Sequence, residues 1–241
     1  MKITFKKIMG ICLSMVLALS VSLPAYAFEF DDGDLTININ RDFGNIDALK
    51  KDRIETVTIG NDVTFIDSKA FQDCTELTSV TIGNGVKEIK QYAFKGCTGL
   101  EEVTIPSNVT KIGQYSFWGC TGLEEVTIED NTEATIDKHA FKDCESLEKV
   151  TIGNGVESIG VRAFMNCTSL QEVTIGNNVK SIKEGAFKGC TSLQEVTIPN
   201  SVTSIEKDAF KDCTSLQRVT IPRGLNITGV FDNEHVEIIR A

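Results

Sequence analysis

Seven phenylalanines punctuate the chain at Phe71, Phe94, Phe117, Phe141, Phe164, Phe187 and Phe210, in steps of 23, 23, 24, 23, 23 and 23 residues. A period that regular means stacked units, none of which buries its own apolar face alone. The slots around each phenylalanine keep the same character. Five residues before it stands isoleucine, as in Ile66, Ile89, Ile112, Ile136, Ile159, Ile182 and Ile205; six after it stands leucine, from Leu77 to Leu216. Valine follows three residues later and isoleucine two beyond that, as in Val103 and Ile105.

The Val-Thr-Ile piece alternates β-branched residues with period two and reads as a strand. Gly60, Gly83, Pro106, Gly153, Gly176, Pro199 and Pro222 end it, with Glu129 the exception. A slot that accepts proline requires φ near −65° and no N–H partner, so these glycines are not there for positive φ. The stretch from Ile89 to Cys97 is too short for a long helix and reads as a tight turn or a brief helical turn. Successive strands then stack as parallel rungs about 4.8 Å apart. The fourth unit carries one extra residue within 129–135 and lacks the usual valine, which predicts a local bulge that leaves the stack intact.

The phrase I-x-x-x-A-F-x-x-C-x-x-L-x-x-V-T-I, repeated over about residues 54–222, resembles the leucine-rich repeats of BspA-like surface proteins. The chain is therefore expected to be an α/β-type repeat solenoid, with parallel strand rungs on one face and short turns or helical turns on the other. The resemblance implies that the rungs line the concave side. It also implies surface or secreted proteins that engage host proteins, other cells or matrix. Residues 28–53, with the alternating DLTININ, read as an N-terminal cap, and residues 223–241, with GVFDN and VEII, as a C-terminal cap. Solenoid ends need such covers because an end rung exposes core and unpaired strand groups.

Residues 1–27 read as a secretory signal peptide. Lys2, Lys6 and Lys7 make a basic start, Ile8 to Leu19 an apolar run, and Ala25, Tyr26 and Ala27 a small-x-small cleavage site. No later segment approaches about 18 consecutive apolar residues, so the rest is expected to contain no membrane span. The whole chain has 24 basic against 34 acidic side chains, and three of those lysines lie in the leader. That balance argues against nucleic-acid or anionic-membrane partners. The expected location is secreted or on the cell surface.

Seven of the eight cysteines sit three after a repeat phenylalanine: Cys74, Cys97, Cys120, Cys144, Cys167, Cys190 and Cys213. No C-x-x-C metal spacing exists. They read as small buried hydrophobes, with pairing of neighbours the competing reading. No nucleophile–base arrangement, phosphate loop or zinc motif accompanies His139 and His235, so no catalytic, cofactor or metal residues are assigned. The DDGD at 31–34 lacks the length and terminal glutamate of a calcium loop and reads as a solvated acidic segment.

Two surfaces are left for function. On the strand face stand Glu101, Glu102, Thr104, Glu124, Glu125, Thr127, Lys149, Glu172 and Glu195. Glu102 and Glu125 are expected to be direct neighbours, as are Glu172 and Glu195. Like charges on adjacent strands destabilise, which points to a cationic partner; the rival reading is that long glutamates splay into water. On the turn side, Tyr92, Tyr115, Trp118, His139 and Arg162 are expected to gather mid-array, among lysines. Such rings beside arginine suit an interface, or else they cover neighbouring turns. The whole reads as a non-catalytic binding or adhesion module for a protein or cell-surface partner, with a structural spacer as the alternative.

Overall fold

The computed structural model describes residues 28–31, 33–37, 53–130, 133–232 and 235–241. The leader lies outside them. Phe28–Asp31 (β1) and Asp34–Ile37 (β2) form an antiparallel pair, and β2 then runs parallel to the first repeat strand. The Val-Thr-Ile strands are Thr56–Ile59 (β3), Ser79–Ile82 (β5), Glu102–Ile105 (β7), Glu125–Ile128 (β9), Lys149–Ile152 (β11), Glu172–Ile175 (β13), Glu195–Thr197 (β15) and Arg218–Ile221 (β17). A second column, ending at the repeat isoleucine, comprises Phe65–Ile66 (β4), Glu88–Ile89 (β6), Lys111–Ile112 (β8), Ala134–Ile136 (β10), Val156–Ile159 (β12), Ser181–Ile182 (β14) and Ser204–Ile205 (β16). Glu237–Arg240 (β18) lies parallel to β17. The result is a parallel-strand solenoid of about eight turns.

Each Val-Thr-Ile strand turns its valine and isoleucine inward and its threonine out, so the period-two pattern becomes a buried column and a wetted one. The phenylalanine rings stack face to face down the interior, with centroids 5.0 Å apart for Phe71–Phe94 and 5.3 Å for Phe164–Phe187. Phe231 continues the column past the last full unit, 5.6 Å from Phe210. Offset ring pairs of this kind contribute about 0.5–1.5 kcal/mol each beyond the area they bury.

The expected helical turns are absent among the described residues, and the fold is all-β rather than α/β. The reason lies in where the turn-side N–H groups go. Those of Tyr92, Phe94 and Gly96 donate to Gln114, Ser116 and Trp118 in the next unit. Those between them, on Ala93, Lys95 and Cys97, reach back only three residues, to Lys90, Tyr92 and Phe94. A helix would need them all within one segment. The residues two before and two after each phenylalanine also take left-handed backbone angles, which no helical run accommodates. At the entry to the strands the sense is opposite: Glu101 donates back to Thr78 and Glu124 back to Glu101.

The fourth unit absorbs its extra residue as a register shift between Ala134 and Thr135, and β10 still pairs with β8 and β12. At the rung-end slot none of Gly60, Gly83, Gly153 or Gly176 has positive φ. What three of these glycines supply is room: a Cβ would lie 2.6 Å from the preceding rung's backbone at Gly83, 2.5 Å at Gly153 and 2.3 Å at Gly176. The slot's N–H is not always idle, since Glu129 and Gly153 donate to Ile105 and Ile128.

Candidate partner-binding surfaces

The cysteine column belongs to the core. All seven repeat cysteines are buried and stand as thiols, not disulfides. From Cys97 onward each thiol donates to the carbonyl of the phenylalanine one unit earlier, for example Cys97 Sγ to Phe71 O at 3.1 Å and Cys213 Sγ to Phe187 O at 3.2 Å. Burial pushes the thiols of Cys97, Cys120, Cys144, Cys167 and Cys190 well up, which disfavours the thiolate that nucleophilic chemistry needs.

On the strand face, Glu102 and Glu125 are register partners, as expected. The repulsion is relieved one rung on, where Lys149 pairs with Glu125 at 3.2 Å, and this carboxylate raises the lysine's pKa. Lys149 in turn stands opposite Glu172. Thr104, Thr127, Thr151 and Thr174 are register partners along one row. Glu172 and Glu195 differ from expectation. No ladder joins β13 to β15, so they flank an opening instead of standing as strand partners. Glu195 is held by Arg218, which also reaches Glu237 at 3.2 Å. Glu101, Glu102 and Glu124 remain without a cation among the described residues. Asp34, from the acidic DDGD, accepts a 2.7 Å bond from the Thr56 hydroxyl.

The turn side brings its predicted residues together. Tyr92 stacks on Tyr115 at 5.1 Å and Tyr115 on His139 at 4.7 Å, nearly parallel in both cases. Trp118 leans on Tyr115 at 5.3 Å and lies under the ammonium groups of Lys95, at 4.7 Å, and Lys142, at 5.6 Å. Its indole N–H donates to Asp143 Oδ2 at 2.8 Å. Arg162 reaches away to Glu184. Burial, followed by Lys138, Lys142 and Arg162, holds the His139 imidazole below its ordinary pKa, with Asp143 opposing. For Asp143, burial works against the charge, but hydrogen bonds from Lys142, Trp118 and Asn166 outweigh it and lower its pKa.

Two features of this side escaped the sequence reading. Tyr92, Tyr115, His139 and Arg162 sit at φ 60°, 58°, 59° and 54°, where bulky side chains are rare. Asp143 gathers Trp118, Lys142 and Asn166 into one network. The recurring Asp, Gly or Asn two after each phenylalanine signals a left-handed slot; nothing equivalent marks the aromatic slot, whose residues vary.

The comparisons with known proteins agree with this architecture. Residues 45–135 and 134–239 match the BspA type leucine rich repeat region, in six copies. A leucine-rich repeat protein from Bacteroides ovatus superposes with a TM-score of 0.67 at 26% identity over 78% of this chain, which spans 54% of that protein's length. The leucine rich repeat protein of T. pallidum superposes at 0.63 and 24% identity over 89% of this chain and 98% of its own. Among curated proteins none matches. With a repeat pattern matched over most of its length and the corresponding solenoid in its fold, the chain belongs to the BspA-type leucine-rich repeat family.

Proposed function

We propose that this protein is a non-catalytic binding module, exported to the cell surface or beyond, that presents the turn-side aromatic patch to a protein or cell-surface partner. The observation that carries the reading is Tyr92, Tyr115 and His139 held in left-handed backbone conformations on three successive rungs. Each costs about 1–2 kcal/mol relative to a right-handed position, whereas Gly185 fills the same slot two rungs on without that penalty. Two ring stacks return about 0.5–1.5 kcal/mol each, which offsets only part of the strain. Retaining bulky rings there makes sense if they meet something outside the chain. Leucine-rich repeat proteins as a class are protein-interaction modules. Export rests on the N-terminal leader pattern.

The test is capture of partners from host matrix and neighbouring cells, with the wild type and a Tyr115→Ala/Trp118→Ala pair compared side by side. Partners held by the wild type are expected to be lost from the pair while its circular dichroism stays unchanged. Retention of every partner by a folded double variant would remove the turn side from the account.

A further inference from the structure

The backbone bonds joining one Val-Thr-Ile rung to the next form a regular series. Thr78 donates to Glu55, Glu101 to Thr78, Glu124 to Glu101, Glu148 to Glu124, Gln171 to Glu148, and later Gln217 to Gln194. One link is missing among the described residues: no bond joins the Gln194 N–H to the Gln171 carbonyl, and β13 and β15 share no ladder. The same two units stay joined elsewhere. β14 pairs with β16, Phe187 donates to Ala209 at 2.8 Å, and the Phe187 and Phe210 rings stack at 5.2 Å. The stack is thus wedged open on its strand face alone.

The rung-end slot beside the wedge holds Pro199. Where it is glycine, the preceding rung packs within 2.3–2.6 Å of where a Cβ would stand. Proline brings a ring into that space and removes a donor. Two of the three rung-end prolines follow thinned ladders. Pro106 follows β7, which keeps one register pair with β5, and Pro199 follows β15, which keeps none with β13; Pro222 follows β17, which pairs with all three residues of β15. Glu129 carries a Cβ and keeps its ladder, but it still donates its N–H, to Ile105.

The opening is a groove of about 570 Å³, within the usual size of ligand sites. Its floor is the loosened core: Val173 is 9% and Ile175 7% exposed, against 0% and 1% for Val150 and Ile152 one rung earlier. Glu172 and Glu195 stand on its rim. Glu195 is engaged by Arg218, but Glu172 has no cation within ion-pair distance among the described residues. The Gln171 carbonyl, left without its link, adds a second acceptor beside an apolar floor. Those features match one side chain best: an aliphatic stem ending in a planar, multi-donor cation. Arg218, forked between Glu195 and Glu237, makes a related contact from within the chain.

We propose that the opening between β13 and β15 receives an arginine side chain presented by an extended segment of a protein partner. The proposal rests on the reading of the chain as a binding module and adds the chemistry of a second contact surface.

Titration of the full chain with acetyl-Arg-Gly-Arg-Gly-Arg-amide, followed by backbone amide chemical shifts, tests it. Shifts are expected to cluster in 171–175 and 194–200. Glu172→Gln should weaken binding about fivefold or more, since one charge-assisted contact is lost. Pro199→Gly restores room and donor; it should slow hydrogen exchange at Gln194 and weaken binding likewise. Shifts spread evenly over Glu101, Glu102 and Glu124, or unchanged affinity in both variants, would overturn the groove. Equal binding of the lysine counterpart overturns the assignment to arginine, and tighter binding of a glucosamine tetramer overturns the assignment to a protein. A protein that captures no partner yet gives the localised response loses the binding-module reading and keeps the groove; the converse result loses the groove alone.

Discussion

At the scale of single residues, cysteine is chosen for two properties at once. It is small enough for the column beside the phenylalanine rings, and its thiol is a weak donor that meets a carbonyl one unit back. Burial was legible in the 23-residue spacing. The donor role was not, because its acceptor lies 26 residues away for Cys97 and Cys120, a distance that no motif within one unit displays. Ser116 shows the converse: it stands in a slot that is alanine in the other six units, and its buried hydroxyl has no partner. Since the thiols are shielded and their pKa values raised by burial, they should react with an aromatic disulfide reagent only as the array unfolds. A urea series is expected to show reaction rate following the unfolding transition; several thiols reacting within seconds in native buffer would contradict the buried-donor role.

At the scale of the strand and its turn, one slot decides how tightly neighbours sit. Gly176 lets β13 close on β11, whereas β15, which Pro199 follows, shares no ladder with β13. Gly176→Ala would place a Cβ 2.3 Å from the Gly153 carbonyl oxygen, so the rung must shift. The expected loss is about 1–3 kcal/mol, typical of overpacking, read as a lower urea midpoint with unchanged slope. A variant as stable as the wild type would show that the rungs slide apart freely. Strands, their direction and the bulge at Ala134 were legible because side-chain alternation is a local property. The sequence left a tight and a helical turn both open because the turn's hydrogen bonds go to the next unit, and a sequence window shows only the segment itself. The groove was hidden for a related reason: proline's effect falls on the rung before it.

For the molecule as a whole, stability is close to a sum of units and their contacts. Deleting residues 188–210 joins Phe187 to Lys211 and removes one full period. The shortened array should unfold in a single transition at lower urea concentration, with a smaller denaturant slope because less surface is exposed, as followed by circular dichroism. Two separate transitions would show that the wedge at Pro199 already divides the array into independent parts. Aromatic patch and strand face lie on different sides of the same rungs, so one partner on each side would be coupled through rigid spacing alone. The opposed sense of the hydrogen bonds has a further consequence. At the entry to the Val-Thr-Ile strands N–H groups face the preceding unit, within the parallel ladders they alternate, as where Ile198 donates forward to Thr220, and on the turn side those of Tyr92, Phe94 and Gly96 face the following unit. In an α-helix aligned peptide dipoles accumulate into charge at the two ends; here N–H groups point both ways along the axis. Units added to such a stack build up little electrical polarity from end to end, so array length is open to change without a growing electrostatic penalty at its tips.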